Sequence, residues 1–160
     1  MIVVSNTSPI LNLTMVGHEG LLRDLYSEVL IPDAVASELR AIQAELQGAS
    51  DALPPWMRTQ SVASAPLVRV LHSELDLGES EAIVLALDTQ ADLLVLDERK
   101  ARAVAARLGV RFIGLLGVLL EAKWMGHIPS VKPLLDSVIV KAGFWLGSQL
   151  YSRVLREAGE

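Results

Sequence analysis

Three short apolar runs in this chain each stop abruptly at polar or charged residues: "MIVV" before "SNTSP", "EVLI" before "PDA" and "LLVL" before "DERK". Runs this short and this rich in branched aliphatic residues read as buried strands, because a buried helix needs about ten residues or more. Longer helical patterns separate them. Strands that alternate with such helices build a parallel sheet covered on both faces. The expected class is therefore α/β, in a single domain over residues 1–160.

In detail, Met1–Val4 is the first expected strand, followed by helical stretches over Pro9–Val16 and His18–Tyr26. "SEVLIP" is a second strand, and Pro32 opens a helix that Gly48 ends. Residues 49–66, with Pro54, Pro55 and Pro66 and little periodicity, read as a surface loop. "LVRVL" (67–71) reads as a strand, 77–90 as a helix, and "DLLVLDE" (92–98) as a buried strand that ends in charge. A helix over 99–109 closes on Gly109, "VRFIG" (110–114) is a last strand, and Leu115–Met125, Ser130–Val140 and Phe144–Ala158 are helical. In the last of these, Phe144, Trp145 and Tyr151 read as core more readily than as an interface.

The first polar cluster, Ser5 to Pro9, lies where a strand ends. Open α/β sheets bind ligands at the carboxyl ends of their strands, although Ser, Asn and Thr there also cap the next helix. Acids recur at comparable places. Glu38 lies about 40° from Ile42 on a helical wheel, at the border of the stripe Val35, Leu39, Ile42 and Leu46. Asp76 and Glu79 have the D-x-x-E spacing of a capping box, which explains Glu79 structurally. Glu81 shares a face with Val84, Leu85 and Asp88, and no cap explains it, so it is the stronger ligand candidate and Glu79 a second. Asp97 and Glu98 end a buried strand, where glycine or asparagine would turn the chain as well.

Oxygen ligands without cysteine, and with three histidines that lack ligand spacing, point to a hard cation, Mg²⁺ or Mn²⁺. No Gly-rich phosphate loop is present, and Gly114 and Gly117 read as punctuation before a helix. No Ser/His/Asp set appears. A net charge of -5 argues against a generally basic surface, but Arg99, Lys100, Arg102, Arg107 and Arg111 form a local cluster able to meet phosphates. The longest apolar stretches fall far short of the roughly 20 residues of a membrane span. A cytoplasmic protein is expected.

The segments "VVSNTSPI", "IPDAVASEL", "LDLGESEAIVLA", "LLVLDERKARAVAARLGV", "GLLGVLLEAKWMGHIPSVKPLLD" and "VLREAGE", in that order, resemble a PIN-like family, distant relatives of VapC toxin nucleases. The resemblance implies a three-layer α/β/α domain with a short parallel sheet flanked by helices. It implies an endoribonuclease whose acids hold one or two Mg²⁺ or Mn²⁺ ions and cleave single-stranded RNA. Carried over, the family's strand-end aspartate falls at Asn6, and its later acids at Glu38, at Glu81 with Glu79 close by, and at Asp97 or Glu98. Thr7 and Ser8 would add hydroxyls, and Arg99, Lys100 and Arg102 would hold the RNA backbone. A cognate antitoxin and a homodimer are expected partners. Asn6 is the departure: it offers a carbonyl oxygen but removes one negative charge, which favours a second reading, a catalytically impaired RNA- or protein-binding module.

Overall fold

The computed structural model describes residues 1–48 and 52–160. Five strands, β1 (Val3–Ser5), β2 (Val29–Ile31), β3 (Met57–Thr59), β4 (Leu93–Val95) and β5 (Phe112–Ile113), form one parallel sheet in the order β3-β2-β1-β4-β5. Successive strand residues face opposite sides. Val3, Val29, Ile31 and Val95 enter one apolar core, and Val4, Leu30, Leu94 and Leu96 the other.

Helices α1 (Thr7–Met15), α2 (Gly20–Tyr26), α3 (Asp33–Gln47), α7 (Leu115–Trp124), α8 (Lys132–Ala142) and α9 (Ser148–Glu157) supply the first core. Helices α4 (Ala65–Leu71), α5 (Leu77–Asp88) and α6 (Arg99–Arg107) supply the second. The fold is thus the three-layer α/β/α arrangement with a short parallel sheet.

Several expectations are corrected. "LVRVL" is not a strand but most of α4: Ser64 and Pro66 start a helix there, and Val68 and Leu71 are buried while Val70 is 65% exposed, a helical period. The sheet takes β3 instead from the segment expected to be loop, of which residues 49–51 lie outside the described residues. Its three residues include one buried side chain, too little pattern to read. The first strand runs Val3–Ser5, and Met1 and Ile2 are exposed. Phe144–Gly147 is neither helix nor strand, so the last helix begins at Ser148. Among the described residues no helix is long and apolar enough to cross a membrane.

Candidate active site

The strand order reverses between β1 and β4: the chain builds outward through β2 and β3 on one side and through β5 on the other. Such a switch point leaves a crevice at the carboxyl ends of the two central strands. Asn6 leaves β1 there, its backbone N–H donating to the Val95 carbonyl at 3.0 Å. Asn6 occupies the N-cap of α1, yet its side chain makes no capping hydrogen bond. The expected cap is therefore a backbone role only, and the buried amide is left for the crevice.

Three elements meet around that amide. The Thr7 hydroxyl donates to Glu38 Oε2 at 2.5 Å, joining the start of α1 to α3. Gly78, in the first turn of α5, faces both: a Cβ there would lie 2.9 Å from Glu38 Oε1 and 3.5 Å from Asn6 Oδ1.

The capping box forms, with Asp76 Oδ1 accepting from the Glu79 N–H at 2.7 Å. It does not hold the Glu79 carboxyl in its charged form. Burial above all, then the side chain of Asp76 and the charge of Glu98, push Glu79 up to about 7, against an opposing pull from the Asp76 backbone. Glu81 has a partner elsewhere: its Oε1 accepts from the Ala34 N–H at 3.0 Å, in the first turn of α3. Geometry thus reverses the order of the two: Glu79 faces other acids, and Glu81 serves a helix end.

Asp97 and Glu98 diverge. Asp97 turns inward, where Oδ1 accepts from the Leu115 N–H at 2.8 Å at the start of α7, and Oδ2 is buried with no hydrogen-bond partner. Burial raises its pKa, the Leu115 amide and Arg102 oppose the rise, and Glu98 adds to it. Glu98 is exposed at the N-cap of α6. Arg99 and Lys100 follow it, both exposed, in a first helical turn that holds no acid. Cations oppose the helix dipole at that end, so local helix stability does not account for them. The Arg102 guanidinium lies 4.9 Å from the centroid of the Phe112 ring, and Ser8 lines the same cavity.

A family model, DUF3368, described as a PIN domain, matches residues 2–160. The chain belongs to the PIN-domain family. Among curated proteins there is no match. PIN domains are generally nucleases that use divalent metal ions, and membership suggests a nuclease-type function for this chain.

The donor chemistry of this PIN domain fits such an ion. Asn6, Thr7, Glu38, Glu79, Asp97 and Glu98 offer oxygen only, as hard cations require. In two of them the surroundings disfavour the charged form: Asp97, whose Oδ2 has no partner among the described residues, and Glu79, pushed up to about 7. Among the described residues, however, no three His, Asp or Glu side chains are placed to hold one ion.

Two glycines do more at the PIN crevice than the sequence suggested. A Cβ at Gly114 would lie 2.8 Å from Asp97 Oδ1, so only glycine lets that carboxylate reach the Leu115 amide. Gly114 is therefore not plain punctuation, and neither is Gly117, where a Cβ would meet the Ile113 side chain at 2.6 Å. Gly78 is a third such glycine. The available signal was a glycine directly before an acid in a helix's first turn, "LGES", where helix propensity gives no reason for it.

Proposed function

We propose that this PIN domain, as a single unit over residues 1–160, is a Mg²⁺- or Mn²⁺-dependent endoribonuclease that cleaves single-stranded RNA. We further propose that it is the toxin of a VapBC-type pair, working in the cytoplasm as a homodimer and held in check by an antitoxin protein. The observation that carries the nuclease reading is Asp97, a buried strand-end carboxylate whose Oδ2 has no partner among the described residues. A native fold rarely leaves such an oxygen unsatisfied without a ligand to meet it.

Asn6, Glu38, Glu79, Asp97 and Glu98 would hold one or two ions. When bound, a divalent cation activates water and offsets charge on the scissile phosphate. The protein's own part is positioning and proton control. Thr7 fixes the Glu38 carboxylate, and the Leu115 amide fixes Asp97. Glu79, pushed up to about 7 by burial and its acidic neighbours, would give up its proton on holding a cation. Arg99, Lys100 and Arg102 would meet the RNA backbone, with Ser8 lining the same cavity as Arg102.

Calorimetry with Mn²⁺ on the parent, Glu79→Gln and Glu81→Gln, paired with a single-stranded RNA cleavage assay, tests this reading. Binding and cleavage by the parent and by Glu81→Gln, lost in Glu79→Gln, support it. Loss in Glu81→Gln alone moves the site to the opposite side of α5. Asn6 favours the second reading, a binding module without cleavage. RNA bound but never cut, with metal binding gained only by Asn6→Asp, decides for that module.

A further inference from the structure

A cavity of about 720 Å³ opens beside the crevice and runs from Ser8, Asp97 and Glu98 to the segment joining α8 to α9. That volume is typical of a site for a drug-sized ligand, and so suits a short stretch of nucleotides. Phe112, Ile113 and Leu116 line one side, and Phe144, Leu150 and Val154 the other. Gly143, in a left-handed conformation, ends α8, and the chain then passes through Phe144–Gly147 without regular structure. Phe144 and Leu146 pack on the core, whereas Trp145 between them is 87% exposed.

An indole presented in this way contributes nothing to the protein's own packing, and it stands at the rim of a cavity that ends in the candidate catalytic acids. Two guanidinium groups line the same cavity: Arg102, stacked over Phe112, and Arg153, loosely paired with Glu157 at 3.5 Å. Aromatic faces alternating with cations match single-stranded nucleic acid, whose bases stack while its phosphates meet the charges.

We infer that this cavity is the subsite for RNA flanking the scissile phosphate, with a base stacked on Trp145 and backbone phosphates at Arg102 and Arg153. The inference rests on the ribonuclease reading and extends it. Continuity favours RNA over a peptide: a strand whose phosphodiester lies at Asp97 and Glu98 leaves the crevice through this cavity, because both acids line it.

The experiment is fluorescence anisotropy with labelled single-stranded oligoribonucleotides of about ten nucleotides. Ca²⁺ replaces Mg²⁺, and the oligonucleotide is checked for integrity afterwards. The parent, Trp145→Ala, Trp145→Phe and Arg153→Ala are compared, each with its sedimentation mass. Trp145→Ala is expected to weaken binding by about 5- to 100-fold, as loss of one stacked base does, while Trp145→Phe retains most of it. Arg153→Ala is expected to reduce the salt dependence of binding by about 0.7 in log–log slope. Parent binding that Trp145→Ala leaves intact overturns the subsite while the ribonuclease reading stands. No RNA binding or cleavage by the parent removes both. A fall in oligomeric mass with Trp145→Ala also overturns the subsite, since the indole would then be a contact between copies or with a protein segment.

Discussion

Glu79 lies in the first turn of α5 and Glu160, beyond the end of α9, reaches the first turn of α8, and their surroundings drive them in opposite directions. Glu160 accepts from the Val131 and Lys132 N–H groups at 2.7 and 3.0 Å and pairs with Lys123 Nζ at 2.9 Å. Lys123 first, then the two amides, hold its pKa down at about 2. Glu79, in the first turn of α5, is buried beside Asp76 and Glu98 and is raised to about 7. One carboxylate is fully compensated by the protein. In the other, burial and neighbouring acids favour the protonated form, and this separates a structural acid from a candidate ligand more sharply than position in a helix does.

The largest effect is expected from testing that separation directly. Glu79→Gln should lower Mn²⁺ affinity by about 100-fold, at the upper end of the effect of disturbing a metal site, without lowering thermal stability. A variant that lost stability and kept its metal affinity would make Glu79 another Glu160. Acidity sharpens the same contrast in the metal-free protein. The folded pKa of Glu79 lies above its ordinary 4.5, so its contribution to stability is full below pH 4.5 and is lost as pH rises through about 7. The decline should reach about 3 kcal/mol at most, at about 1.4 kcal/mol per pKa unit, with Asp97 adding in the same direction. Urea midpoints between pH 4.5 and 8 should therefore fall in the parent and flatten in Glu79→Gln.

Gly78→Ala probes the wall opposite. The methyl would lie 2.9 Å from Glu38 Oε1, but that atom ends a flexible side chain and can turn away. Stability should thus change little, while Mn²⁺ affinity falls by about tenfold because Glu38 leaves Asn6 and Thr7. A drop of several degrees in melting temperature with unchanged metal affinity would make Gly78 a packing residue only.

Much of this arrangement was legible in the sequence. The three apolar runs announced β1, β2 and β4, and the acids after "LLVL" lie beside Asn6 because β1 and β4 pair in register, Ser5 with Val95. What escaped did so for physical reasons. "LVRVL" satisfies strand and helix patterns alike over five residues, and Pro66 decided for helix. The capping box accounted for the Glu79 backbone and thereby hid its carboxyl, since local spacing says nothing about which side chain the tertiary fold buries. Glu81 looked unexplained for the converse reason: its partner, the Ala34 N–H, is 47 residues away in sequence. Trp145 was grouped with a core helix, and only the break between Gly143 and Gly147 turns it outward.

The smallest effect expected is at the compensated end. Glu160→Gln keeps one acceptor oxygen for one of the Val131 and Lys132 amides, turns an NH2 toward the other and loses the charge that Lys123 pairs with. The side chain is 17% exposed, so the pair is partly screened and the loss should be about 1 kcal/mol, or about 3 °C in melting temperature. The sign with pH is opposite to that of Glu79. Because the folded pKa lies below the ordinary value, the contribution is present above pH 4.5 and disappears as pH falls toward 2. Parent and Glu160→Gln should accordingly differ in stability at pH 7 and converge near pH 2, with equal Mn²⁺ affinity throughout. A difference that persists at pH 2 would locate the role of Glu160 in packing rather than charge, and the contrast with Glu79 would then rest on burial alone.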